Sequence, residues 1–198
     1  MLKKIFLLGI ALVFLFTVPS FAQLGLTLKA TGSYGILLKP EIEEAGLPEE
    51  KLTKGGFSFS GQILYRAVGK ILSLGVEAGY LRCWKDEWTD TSTGAKVEMS
   101  LSAIPILGII QLETPLPLVS PYLQIGPGIY PLTGKIASEG VEVEFLDETK
   151  FGVMFAAGVA FAMAPKLNLD VGGKLHLIFT EDESTIILNP GIGILLKF

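Results

Sequence analysis

The chain has 198 residues, 49% of them hydrophobic and only 18% charged, with a net charge of −4. A soluble domain usually carries about 25% charged residues, and a nucleic-acid binder needs a basic stripe that this acidic chain lacks. With one Cys and one His, an intramolecular disulfide and a multi-histidine metal site are both excluded.

Residues 1–22 read as a cleaved secretory leader. Lys3 and Lys4 precede an uncharged apolar run over 5–18, Pro19 breaks it, and Ser20-Phe21-Ala22 supplies small residues at the cleavage positions. The run is too short for a spanning helix, and no Cys follows it to carry a lipid anchor. Loss of Lys3 and Lys4 with the leader would take the charge from −4 to −6. The remainder, 23–198, is expected to form one domain. It holds no uninterrupted apolar run of about 18 residues, so spanning helices are excluded and a barrel or a very apolar soluble core remains.

Period-two alternation then runs through the domain. Leu24, Leu26, Leu28, Ala30, Tyr34 and Ile36 alternate with Thr27, Lys29, Thr31 and Ser33. Phe57, Phe59, Ile63 and Tyr65 oppose Ser58, Ser60, Gln62 and Arg66, and after a short turn Leu72, Leu74, Val76, Ala78 and Tyr80 oppose Ser73, Gly75, Glu77 and Gly79. A fourth strand pairs Val97, Met99, Leu101 and Ala103 against Glu98, Ser100 and Ser102, and the pattern fades past Ile104. Similar strands cover 122–130, 151–163, 167–179 and 186–198. Eight strands of this length suit tilted membrane crossings.

The bulky face is expected to meet lipid, because the other face is mostly Gly, Ser, Thr, Ala and Asn, which fit the lumen of a narrow barrel. Sixteen of the 20 acidic residues fall in four connections, 39–54, 85–96, 131–149 and 180–185, predicted as loops at one end; the turns at the other end are short. Aromatics at predicted strand ends (Tyr34, Phe57, Tyr65, Tyr80, Trp84, Tyr130, Phe151, Phe179 and Phe198) would form interfacial girdles. Pro105, Pro127 and Pro190 fall inside predicted strands with lipid-face parity and should break pairing locally.

Pro121-Tyr122-x-x-x-Gly126-x-Gly128 and the alternating terminus ending in Phe198 resemble the small OmpA/OmpX-type outer-membrane barrels. The resemblance covers the whole of 23–198 and implies an all-β fold, an eight-stranded antiparallel up-and-down transmembrane β-barrel. It also implies a bacterial outer-membrane location, contact with outer-membrane lipid and lipopolysaccharide, and recognition of the Phe198 strand by the barrel-assembly machinery. No cofactor, metal or nucleic-acid partner is expected, and a monomer is.

Chemistry-bearing residues are few. Lys29, Arg66, Glu77, Asp170, Lys174 and His176 lie on the lumen face. Lys29, Glu77 and Lys174 sit near mid-depth, so an ion-paired plug of Glu77 with Lys174 or Lys29 is expected. His176 could anchor a lipid-modifying site with Ser100, Ser102, Asp170 or Glu77, but no acyl-transfer motif surrounds it, and a hydrogen-bonded lumen histidine is the simpler reading. The leading function is a non-enzymatic structural or surface-interaction barrel. The alternatives are a narrow channel for small apolar solutes, a lipid-modifying enzyme using His176, and a soluble periplasmic lipocalin-like binder with its faces reversed.

Overall fold

The computed structural model describes residues 25–39, 55–69, 71–89, 96–138, 141–179 and 184–198. The leader and most of the acidic connections at 39–54 and 180–185 lie outside the described residues.

Nine strands follow one another: β1 (Leu26–Lys39), β2 (Gly56–Val68), β3 (Leu72–Thr89), β4 (Lys96–Ala103), β5 (Ile106–Glu113), β6 (Val119–Ser138), β7 (Val141–Ala164), β8 (Leu167–Phe179) and β9 (Ser184–Lys197). All pairings are antiparallel, and β1 joins both β2 and β9. β4 and β5 occupy the same place between β3 and β6. They are two halves of one stave, and the nine segments close an eight-stranded barrel, as the alternation predicts. Closure leaves no ladder edge in the lipid, which is what permits strands to cross a membrane.

The orientation of the faces follows the expectation over most of the wall. Phe59, Leu74 and Phe155 are 65%, 44% and 44% exposed, while Lys174 is only 7% exposed. The bulky side chains therefore point away from the axis, and the soluble, reversed-face alternative fails. Tyr34 meets Phe57 edge-on at 5.5 Å, Phe59 stacks on Tyr80 at 5.7 Å, and Phe151 stacks on Phe179 at 6.1 Å. These pairs form an aromatic belt at the loop end. Tyr130 does not join it: it is fully buried inside the barrel. The side chain of Trp84 lies outside the described set.

The prolines interrupt pairing as expected. The ladder between β1 and β9 skips from Ser33↔Gly191 to Ile36↔Leu188 around Pro190, and that between β5 and β6 skips from Leu107↔Gly128 to Ile110↔Ile125 around Pro127. Pro105 separates β4 from β5. It is buried, however, and so does not have the lipid-side position that its parity suggested.

Three expectations are corrected at the loop end. First, the connection 131–149 is mostly strand: β6 and β7 stay paired out to Ser138↔Val141. Its Val-Glu alternation is a strand period that its acidity disguised as a loop. Second, β3 runs through Lys85 to Thr89 and pairs with β4 there. Third, the faces of β4 are opposite to those expected. Met99, Leu101 and Ala103 are 8%, 8% and 1% exposed and point inward, leaving Glu98, Ser100 and Ser102 on the outer side.

The reason is visible along β6 alone. Its outward positions run Leu123, Ile125, Pro127, Ile129 and Pro131, then Thr133 and Lys135; its inward positions run Ser120, Tyr122 and Gln124, then Tyr130 and Leu132. Side-chain direction keeps period two throughout, but the chemistry of the two faces exchanges near Pro131. Beyond that level the polar residues face out and the apolar ones pack within, the arrangement that water outside the wall favours. β3 exchanges at the same height, between Tyr80 and Arg82 outside and between Gly79 and Leu81 inside. Both strands therefore exchange the chemistry of their faces at one common height of the wall.

Candidate functional site

The candidate site is the lumen itself. On the terminal half of the barrel the inward residues are mostly polar, with Leu64, Leu107, Ile109 and Leu195 among them; on the loop half they are mostly apolar, with Ser58, Thr185 and Asn189 among them.

Two ion pairs sit at mid-depth. Lys29 on β1 reaches Asp170 on β8, Nζ to Oδ2 2.7 Å, with both side chains at most 2% exposed. Lys29 Nζ also donates to the Tyr122 hydroxyl at 2.8 Å, and that hydroxyl donates to Asp170 Oδ2 at 3.2 Å. The Tyr122 ring can lie flat across the wall because glycines stand beside it in register: Tyr122↔Gly158↔Gly172. A Cβ at Gly158 would fall 2.3 Å from the Tyr122 hydroxyl, so no larger residue fits beneath it.

The second pair joins Lys174 on β8 to Glu77 on β3. Lys174 Nζ donates to Glu77 Oε1 at 2.5 Å and to Ser60 Oγ at 2.7 Å. Gln62 Nε2 donates to the other Glu77 oxygen, Oε2. From there the network continues toward the terminal end. Gln124 Nε2 donates to Gln62 Oε1 at 3.1 Å and to Gln111 Oε1 at 2.5 Å. Gln111 Nε2 donates to Glu113 Oε2 at 3.1 Å, and Lys197 Nζ donates to Glu113 Oε1 at 2.5 Å. A continuous chain of side chains thus runs from Lys174 to Lys197. The lysines Lys29, Lys174 and Lys197 are matched one to one by Asp170, Glu77 and Glu113. A buried charge without its partner costs several kcal/mol, about 3–5 when one member of a pair is removed, so this balance is what the enclosure demands.

His176 is 2% exposed and lies above the ion pairs, its Nδ1 3.0 Å from the Tyr130 hydroxyl and its ring edge-on to Tyr130 at 5.8 Å. Ser100 and Ser102 face out of the wall and cannot approach it; Asp170 is held by Lys29. Arg66 lies at the terminal mouth, half-buried, lining a recess with Glu113, Lys166 and Lys197, and does not reach the mid-depth pairs.

Above His176 the lumen is closed by apolar side chains. Leu81, Cys83, Tyr130, Met154, Ile178 and Ile187 are each at most 1% exposed and pack in one cluster with Leu37, Leu101 and Leu132. Between this cap and the ion pairs, a space of about 10 Å³ is bounded by Ser33, Ser60, Lys174, His176 and Asn189, room for about one water molecule.

Gln111, Glu113 and Tyr130 are network or cap residues that the sequence reading did not place in the lumen. Gln111 and Glu113 share parity with Leu107 and Ile109 on β5, whose burial alternates strictly. That alternation is hidden in the sequence because both faces of the stave are apolar over Ile106–Ile110.

The chain matches the model of the outer membrane protein beta-barrel domain over residues 8–191. It belongs to that family. This places the barrel in the bacterial outer membrane, with its apolar band against lipid. Among solved structures it is similar to Neisserial surface protein A, with a TM-score of 0.62 at 16% identity over 88% of this chain and 97% of that one. It is also similar to Ail, the attachment invasion locus protein of Yersinia pestis, in complex with the heparin analogue sucrose octasulfate, with a TM-score of 0.50 at 15% identity over 89% of this chain and 100% of that one. At such identities the likeness is one of fold. Comparison with curated proteins gives no match.

Proposed function

We propose that this outer-membrane barrel is non-enzymatic and closed: its lumen is filled by side chains, and its work is structural and surface-presenting. The observation that carries this reading is the stacking of a continuous polar network under an apolar cap. The network joins Lys174 to Lys197 without a break, and the cap above it is packed by side chains from β1, β3, β4 and β6 to β9, such as Leu81, Met154 and Ile187. An eight-stranded barrel is just wide enough for side chains to fill, so a solute path would need both layers to move. His176 supports the same reading, since it is enclosed and bonded to Tyr130 with neither lipid nor solvent beside it.

Planar-bilayer recording of the full chain tests closure. A silent bilayer containing folded protein is the expected result; large, steady single-channel currents overturn it.

Delivery to the membrane is proposed to use the last strand. β9 alternates Ile192, Ile194 and Leu196 outward and ends beside Phe198, whose amide donates to Leu26 O at 2.8 Å. Recognition by the barrel-assembly machinery would read that exposed, aromatic-ended edge before β1 closes on it. Phe198→Ala should lower the outer-membrane level in cells while leaving refolding into detergent unchanged. Equal levels in cells would remove the assembly role.

A further inference from the structure

Three buried side-chain oxygens have no hydrogen-bond partner among the described residues: Thr31 Oγ1, Asp170 Oδ1 and Asn189 Oδ1. Of these, Asn189 lines the space of about 10 Å³ between the cap and the ion pairs. The backbone accounts for its setting. Around Pro190 the β1–β9 ladder skips from Ser33↔Gly191 to Ile36↔Leu188, so Asn189 has no paired residue on β1. Gly35 lies in that gap, and a Cβ on it would fall 3.0 Å from Asn189 Oδ1. The missing side chain leaves room for a carbonyl oxygen that still needs a donor.

His176 has the complementary need at the same place. Its Nδ1 lies 3.0 Å from the Tyr130 hydroxyl. That hydroxyl is buried in the apolar cap and has no other partner among the described residues. Its hydrogen is therefore bonded only if it donates to Nδ1, which must then be bare, leaving the ring proton on Nε2. Nε2–H has no protein acceptor among the described residues, and His176 lines the same space as Asn189. Ser60 lines it too: its Oγ accepts from Lys174 at 2.7 Å and keeps its own hydrogen to donate.

We propose that this space is a binding site for one structural water, which accepts from His176 Nε2–H and Ser60 Oγ–H and donates to Asn189 Oδ1. Buried waters typically make about three such bonds. Tyr130 on one side and the water on the other hold His176 in a single neutral tautomer. His176 thereby becomes the link between the apolar cap and the polar network below it. An ion does not suit the site, because Lys174 and Glu77 already balance each other and a further buried charge would have no counter-charge. The volume has no room for a larger solute. The inference rests on the closed-lumen reading, since bulk water in the bore would compete for the same three groups.

The test is nitrogen NMR of the untagged full chain, labelled at histidine and folded in phosphatidylcholine nanodiscs. The chain has one histidine, so the ring signals have a single source. A proton on Nε2 and a bare Nδ1 are expected, with this tautomer favoured by about tenfold or more. Nε2–H should also show cross-relaxation to a proton at the water frequency. Asn189→Leu removes the acceptor and fills the space, and should abolish the water contact. Tyr130→Phe should lower the tautomer ratio by about tenfold, the worth of one hydrogen bond. Asn168→Leu, the same kind of change at the terminal mouth, should alter neither. Heat-modifiable gel migration shows that each variant is folded. A proton on Nδ1, no water contact in the folded wild type, or a contact that survives in folded Asn189→Leu overturns the proposal. So do ring signals that move when sodium chloride is replaced by choline sulfate, which would put an ion in the space. Bilayer currents would overturn closure and this site together, whereas the wrong tautomer in a silent barrel overturns the water site alone.

Discussion

Replacing Glu77 by Leu would strand the Lys174 ammonium at mid-depth with only Ser60 Oγ as a polar partner. The Lys174 and Glu77 side chains are 8% and 1% exposed, and the space beside them holds about one water molecule, so neither charge can be fully hydrated in place. Breaking such a pair costs about 3–5 kcal/mol. Replacing both partners, as in Glu77→Leu/Lys174→Met, removes both charges and should be neutral or stabilising by about 1–4 kcal/mol. Gln62 keeps a partner in the double variant, because its Nε2 also lies 3.3 Å from Gln124 Oε1. The two single variants and the double form a cycle whose coupling should be at least about 3 kcal/mol, more than a hundredfold in the folding equilibrium. Urea unfolding in lipid vesicles, followed by the shift from fast to slow gel migration, measures it. A single variant that loses less than about 1 kcal/mol, or a double that loses the sum of the singles, would show that the pair is hydrated and that the plug is not dry.

Further outcomes follow from the same geometry. Tyr122→Phe removes the hydroxyl shared by Lys29 and Asp170 and should cost about 1–3 kcal/mol; Gly158→Ala pushes a Cβ into that ring and should cost a similar amount, both read by the same unfolding assay. Leu101→Asp buries a charge within the cap and should destabilise by more than about 3 kcal/mol, whereas Ser100→Asp, one residue away on the outer face, should stay within about 0.5 kcal/mol; the opposite ranking would refute the exchange of faces. Cys83, wholly buried in the cap, should resist maleimide in the folded barrel and react at the rate of unfolding; rapid labelling without unfolding would mean that the loop end of the lumen opens.

Most of the fold was legible because a barrel wall writes its geometry directly into the chain: one residue out, one residue in. Lys29, Glu77 and Lys174 could be assigned to a common depth by counting along strands that proved correct in parity. Partner choice could not be read that way. Lys29 selects Asp170 and Lys174 selects Glu77 through the stagger of the staves, which alternation within single strands does not encode. The β4 faces were misread for a physical reason. Period two gives two faces but not which solvent each one meets, and Met99 and Leu101 look lipid-facing until the strand is known to stand above the bilayer. Tyr130 was misplaced by the same ambiguity, since a tyrosine near a boundary suits a girdle or a packed interior equally well. The network residues Gln111 and Glu113 were hidden by a stave that is apolar on both sides.

The height at which β3 and β6 exchange their faces also divides the surface into parts with different freedom to vary. Outside the tall wall, Ser100, Ser102 and Thr133 line an open groove and are not part of the packed interior. Behind them, Met99, Leu101 and Leu132 help to seal the bore. Sequence drift can therefore recolour every second residue of this hairpin region while its neighbours stay fixed. Trimming the hairpins back to the membrane, as one would an ordinary loop, would uncork the cylinder.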